Sequence, residues 1–148
     1  MLMTGSPHID AERAFTRAAR ARRRAGIMRS LRRVPKACRR LAVYDPRQVR
    51  NRDAAAGRRI REIPLGAISG TLEPARAELF DDAFRPAAAA RTRWQRVWLA
   101  EHRGAVLPPI SVVPVEDGYA LRDGHHRVSV AHARGALTID ATVESLPA

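Results

Sequence analysis

The sequence predicts a small α+β domain preceded by Arg-rich helices, and three observations carry that reading. Two strand-like runs, Ile110 to Val115 and Tyr119 to Arg122, flank Glu116-Asp117-Gly118, and Asp-Gly is a favoured hairpin turn. Consecutive strands that pair as a hairpin argue against a doubly wound parallel sheet. Trp94 and Trp98 stand four apart with Val97 and Leu99 beside them, which puts a broad apolar face on one helix. The net charge of +12 is also unevenly divided: Met1 to Arg61 holds 17 Arg and one Lys against four carboxylates, a net +14, whereas Glu62 to Ala148 holds nine Arg against 11 carboxylates, a net −2. The chain therefore reads as a basic helical arm, residues 1–58, joined to a nearly neutral globular domain, residues 59–148.

Asp10 is placed to cap a helix from Ala11 to about Arg33, which Ala, Leu and Arg favour and Pro35 ends. Its apolar positions, Phe15, Ala18, Ile27, Leu31 and Val34, form a thin stripe broken by Arg22, Arg23 and Arg24, so the helix is expected to bury little. Lys36 to Tyr44 reads as a short second helix, and Asp45-Pro46 opens a third that runs to about Ala56 and stops at Gly57. Arg61 to Leu65 alternates as a short strand with Ile63 and Leu65 on one side, and Pro64 places it at a sheet edge or strand end. Gly66 to Thr71 reads as turn-rich and Leu72 to Pro86 as a mobile connection. Ala87 to His102 is the strongest helix; the hairpin follows Pro108-Pro109, and a helix from His125 to Arg134, stopped by Gly135, leads to a last strand from Thr138 to Val143.

A single cysteine, Cys38, excludes an intramolecular disulfide and reads as a small packing residue despite Lys36, Arg39 and Arg40 around it. No apolar run approaches the roughly 20 residues of a spanning helix, and Met1 to Ile9 lacks a secretory pattern, so a cytoplasmic protein with no membrane partner is expected. His102, His125, His126 and His132 lack the spacing of a metal set, and no metal site is expected.

The sharpest chemical signal is Asp123-Gly124-His125-His126-Arg127, between the last hairpin strand and the apolar run Val128 to Ala133. Glycine permits the tight strand-to-helix turn, and the free N–H groups of a helix start point beyond it. With two imidazoles and a guanidinium added, the residue types fit a phosphate group of a nucleotide or nucleic acid. Taken locally, satisfied caps and buried imidazoles account for the same residues equally well.

The wider stretch resembles a known family. Leu107-Pro108-Pro109-Ile110, Asp117-Gly118-Tyr119, Asp123 through Ala131, and Gly135 through Ile139-Asp140-Ala141 are similar to the N-terminal domain of ParB-type chromosome-partitioning proteins and its sulfiredoxin-like relatives. The block from Asp123 to Ala131 resembles small bacterial ParB-like proteins in particular. The resemblance covers roughly Ile60 to Leu146 and implies a small ParB/sulfiredoxin-like mixed sheet with packed helices. It also implies a Gly-x-x-Arg turn, here Gly124 to Arg127, that holds the phosphates of a nucleoside triphosphate with Mg. Sulfiredoxins carry their nucleophilic Cys at the position of His125, so their chemistry is not expected here. The helix-turn-helix and dimerisation modules that follow this domain in ParB-type proteins are not expected either, because the sequence ends at Ala148.

Free serine kinases of the same superfamily share Asp-Gly-His-His-Arg, which keeps phosphoryl transfer open, with Glu73 or Asp82 as the carboxylate and His125 or His126 as acid or base near neutral pH. The basic arm, with Arg22, Arg23, Arg24, Arg32, Arg33, Arg39 and Arg40, would attract phosphate backbones in a salt-dependent way. Three readings therefore stand: a nucleotide- or DNA-phosphate-binding protein; a nucleotide-dependent nuclease, NTPase or small-molecule kinase; and a non-catalytic regulatory protein that takes a protein partner or a second copy of itself.

Overall fold

The computed structural model describes residues 3–36, 40–49 and 58–144. Its elements are α1 (Pro7–Leu31), β1 (Ala42–Val43), β2 (Arg59–Pro64), β3 (Ile68–Thr71), α2 (Pro74–Ala77), α3 (Arg91–His102), β4 (Ile110–Val115), β5 (Gly118–Asp123), α4 (His125–Ala133) and β6 (Thr138–Val143). The strands form one sheet in the order β1-β3-β5-β4-β6-β2. β1 with β3, β3 with β5 and β4 with β6 are parallel, while β4 with β5 and β2 with β6 are antiparallel. The class is α+β with a mixed sheet, and β2 is an edge strand with Pro64 at its end.

Adjacent residues on the central strands point to opposite faces of the sheet. Val112 and Leu121 join the main core with Trp94, Trp98, Val128 and Val130 from the helices, whereas Val113 and Ala120 pack with Leu72 on the other face. The Trp94 and Trp98 face is buried as its spacing requires. α1 enters the same core: Ala11, Ala14 and Phe15 are buried in it, and Phe15 meets Trp94 edge-on at 5.5 Å. Farther along α1, Ile27 and Leu31 are exposed, as a helix broken by arginines would leave them.

Several expectations from the sequence are corrected. Asp10 does not precede α1 but sits within its first turn, because Ser6-Pro7 begins the helix with proline at its first position. Its buried carboxylate instead accepts the Thr4 N–H at 3.0 Å and the Thr4 hydroxyl at 2.9 Å, and the backbone bond holds it below the usual carboxylate range. Ala42–Val43 is a strand rather than helix: Gly70 lacks the Cβ that would strike the Ala42 carbonyl, so the segment lies against β3 and Tyr44 N–H bonds Thr71 O at 2.9 Å. Pro46–Gln48 is a single 3₁₀ turn capped by the Asp45 side chain, Val49 is already extended, and the remainder of the expected third helix lies outside the described residues, as does Cys38.

The segment from Leu72 to Pro86 is packed rather than mobile. Phe80 and Phe84 are buried, and the buried Asp81 carboxylate accepts the N–H groups of Ala83 and Arg85 at 3.0 and 2.8 Å. Those bonds replace the ladder that a regular element would supply. Likewise Ile68–Thr71, within the passage expected to be turn-rich, is a buried strand between β1 and β5.

Candidate functional site

β5 ends at Asp123, and Gly124 carries the chain into α4 with φ +104°. A Cβ at this position would stand 2.5 Å from Ile110 Cγ2, so glycine is required both by the backbone and by the close approach to β4. α4 has no side-chain cap, and the N–H groups of His125, His126 and Arg127 have no intrahelical acceptor. They form a concentrated positive end of a helix dipole.

The two imidazoles face inward. His125 is 4% exposed and stacks on Phe80 at 6.4 Å, while His126 is 7% exposed and meets the same ring edge-on at 5.3 Å. His125 Nε2 lies 2.6 Å from Thr71 Oγ1, which also accepts the Glu73 N–H at 2.9 Å. Burial pushes both imidazoles down to about 4, and nearby guanidinium charges add to it: Arg76 for His125, Arg93 and then Arg76 for His126. Both rings are therefore neutral at pH 7. This corrects the expectation that they titrate near neutrality, because the sequence alone does not show that Phe80 and the sheet take them out of water.

Arg127 is held by its own chain. Its Nη1 donates to Pro108 O and, at 3.0 Å, to Pro109 O; its Nη2 donates to Asp123 Oδ2 at 3.0 Å. The guanidinium thus clamps the turn to the approach of β4 while Asp123 stays largely exposed. Arg76 on α2 and Arg93 on α3 supply the unpaired positive charge near the α4 start, since neither has a hydrogen-bond or ion-pair partner among the described residues. Both escaped the sequence reading because α2 and α3 lie far from the turn along the chain.

Of the two carboxylates considered for chemistry, Asp82 is engaged by Arg29 through two bonds at 2.5 and 2.8 Å. Glu73 is exposed and joined to His125 only through its own N–H and the Thr71 hydroxyl. Among the described residues no group of three His, Cys, Asp or Glu side chains is placed to hold a metal ion.

The arginines of the basic arm divide. Arg22, Arg23 and Arg40 line a cleft of about 270 Å³ with Arg29, Lys36 and Asp81, and the Arg22 Nε in it is buried without a partner. Arg24 lines a separate groove along α1 with Arg13 and Arg20; Arg32 and Arg33 are exposed beyond the helix end, and Arg39 lies outside the described residues. No helix among the described residues is long and apolar enough to cross a membrane.

No family model and no curated protein matches the chain. In structure it is similar to the crystal structure of sulfiredoxin from Arabidopsis thaliana, with a TM-score of 0.45 and 19% sequence identity over 60% of this chain and 86% of that one. The assignment to the α+β class rests on the sheet and helices themselves.

Proposed function

We propose that the chain binds phosphate groups of a nucleotide or nucleic acid at the start of α4. The observation that carries this reading is a helix N-terminus without a side-chain cap, together with two guanidinium groups, Arg76 and Arg93, that have no ion-pair partner among the described residues and whose charges act on His125 and His126. Backbone donors from His125 to Arg127 would cradle the phosphate and Gly124 would allow its close approach. Arg127 would hold the cradle in shape through Pro109 and Asp123 and offer its remaining donors to the same group. A nucleoside triphosphate with Mg fits these residue types, with Asp123 the exposed carboxylate available to orient the metal.

Binding is favoured over catalysis because both imidazoles are neutral and buried. The cleft formed by Arg22, Arg23, Lys36 and Arg40 would take a phosphodiester backbone.

The test is calorimetric titration of CTP, ATP, ADP and duplex DNA into wild type, Arg127→Ala and the Arg76→Gln/Arg93→Gln pair. The pair is expected to weaken nucleotide binding by about tenfold or more, the order of one charge-assisted hydrogen bond. Unchanged affinity for every ligand overturns the phosphate reading. Arg22→Gln/Arg23→Gln should shallow the salt dependence of DNA binding, by roughly one unit of slope for each phosphate no longer neutralised. An unchanged slope removes DNA binding from the arm.

A further inference from the structure

A cavity of about 610 Å³ lies at the other end of α4 from the phosphate turn, between α1, the Ala83–Pro86 loop, α3 and the last turn of α4. His132, on its wall, stands six residues beyond His126, about 9 Å along the helix axis. The volume lies within the range of small-molecule sites. Three features describe its ligand.

The walls are apolar because α1 presents Ala14, Ala18 and Ala21 at helical spacing, which withdraws side chains from the space. Two flat surfaces face it: the His132 ring stacked on Phe84 at 5.8 Å and 11°, and the His102 ring stacked on Trp98 at 4.8 Å and 12°. The charged lining residues are Arg17, Arg85 and Arg134, with no carboxylate among them. Arg85 leans on Asp81 at 3.2 Å, but Arg134 meets Glu101 only as an ion pair at 3.5 Å and its guanidinium makes no side-chain hydrogen bond among the described residues. Arg134 also lies over Trp98, 5.4 Å from the ring, so its charge sits at the edge of an aromatic surface.

We propose that this cavity binds a small anion with a flat apolar body, an aromatic carboxylate or sulfonate by class, its ring against the imidazole-capped aromatics and its charge toward Arg134. A neutral ring would leave Arg134 with only its ion pair to Glu101, and a bare phosphate would leave the alanine and aromatic walls facing water. The site is separate from the phosphate turn and does not depend on it.

The probes are 8-anilinonaphthalene-1-sulfonate and its uncharged relative N-phenyl-1-naphthylamine, followed by fluorescence, with stoichiometry from calorimetry. One sulfonate probe per chain is expected, bound about tenfold more tightly than the neutral one. Ala21→Phe fills the cavity and should weaken both probes about tenfold while the circular dichroism spectrum is kept. Arg134→Gln, a change at a partly exposed residue, should weaken the sulfonate by about tenfold and leave the neutral probe unchanged. Arg93→Gln should alter neither. Equal affinity for the two probes, insensitivity to Arg134→Gln, or loss of binding in Arg93→Gln overturns the proposal; if Ala21→Phe does not fold, Arg134→Gln decides.

Discussion

Thr71 Oγ1 and His125 Nε2 lie 2.6 Å apart between β3 and the start of α4. The same hydroxyl donates to Leu121 O at 3.1 Å and accepts the Glu73 N–H at 2.9 Å. With its proton directed to Leu121, the hydroxyl accepts from His125 in the Nε2–H tautomer. One buried side chain thereby joins two strands, the entry to α2 and the turn into α4.

Thr71→Val keeps the shape and removes the hydroxyl, leaving a buried imidazole and a backbone N–H unpaired. A loss of about 2–3 kcal/mol is expected in urea denaturation, and Thr71→Ser should recover most of it. A loss below about 0.5 kcal/mol in the valine variant would show that the network does not support the turn.

Stability should fall in mild acid. The two imidazoles titrate near 4 in the folded chain, below the ordinary histidine value of 6.5, so the unfolded chain takes up protons first as pH drops. Their contribution is intact above about pH 6.5 and is lost progressively as pH falls toward 4, with His125 alone worth about 2 kcal/mol by pH 5. Denaturation midpoints between pH 7.5 and about pH 5 provide the check. Replacing His125 with Gln should flatten the profile, and a profile equally steep in that variant would assign the acid sensitivity to other groups.

Gly124→Ala combines a backbone at φ +104° with a Cβ placed 2.5 Å from Ile110 Cγ2. It should cost about 2 kcal/mol or more. Equal stability of Gly124→Ala and wild type would mean that the turn tolerates a side chain.

The two halves of α1 should respond differently to mutation. Phe15 is 1% exposed and packed against Trp94, so Phe15→Ala should cost about 3–5 kcal/mol. Ile27 is 62% exposed, and Ile27→Ser should change stability by less than about 0.5 kcal/mol. Thermal denaturation of both variants distinguishes this gradient from a helix that is uniformly docked or uniformly free. The same gradient makes charge substitutions, rather than removal of α1, the clean test of the arginines.

The hairpin, α3 and α4 were legible in the sequence because each carries its own signal: an Asp-Gly turn, a Trp pair at helical spacing, and a glycine at each end of α4. β1 and β3 were not, since strands of two and four residues hold too few positions for a period and form only where a neighbour supplies hydrogen bonds. Phe80 and Phe84 were read as part of a loose connection because nothing local marks them as the floor beneath two histidines.

By itself, then, the sequence determined the α+β class, the basic bias of the arm and the geometry of the Gly124 turn, all of which follow from local periodicity, charge and backbone permission. Only the tertiary structure decided that His125 and His126 are buried and neutral, that Arg127 clamps Pro109 and Asp123, and that Arg76 and Arg93 bear on the helix start. Burial and electrostatic fields arise from residues distant in sequence, and folding brings them together.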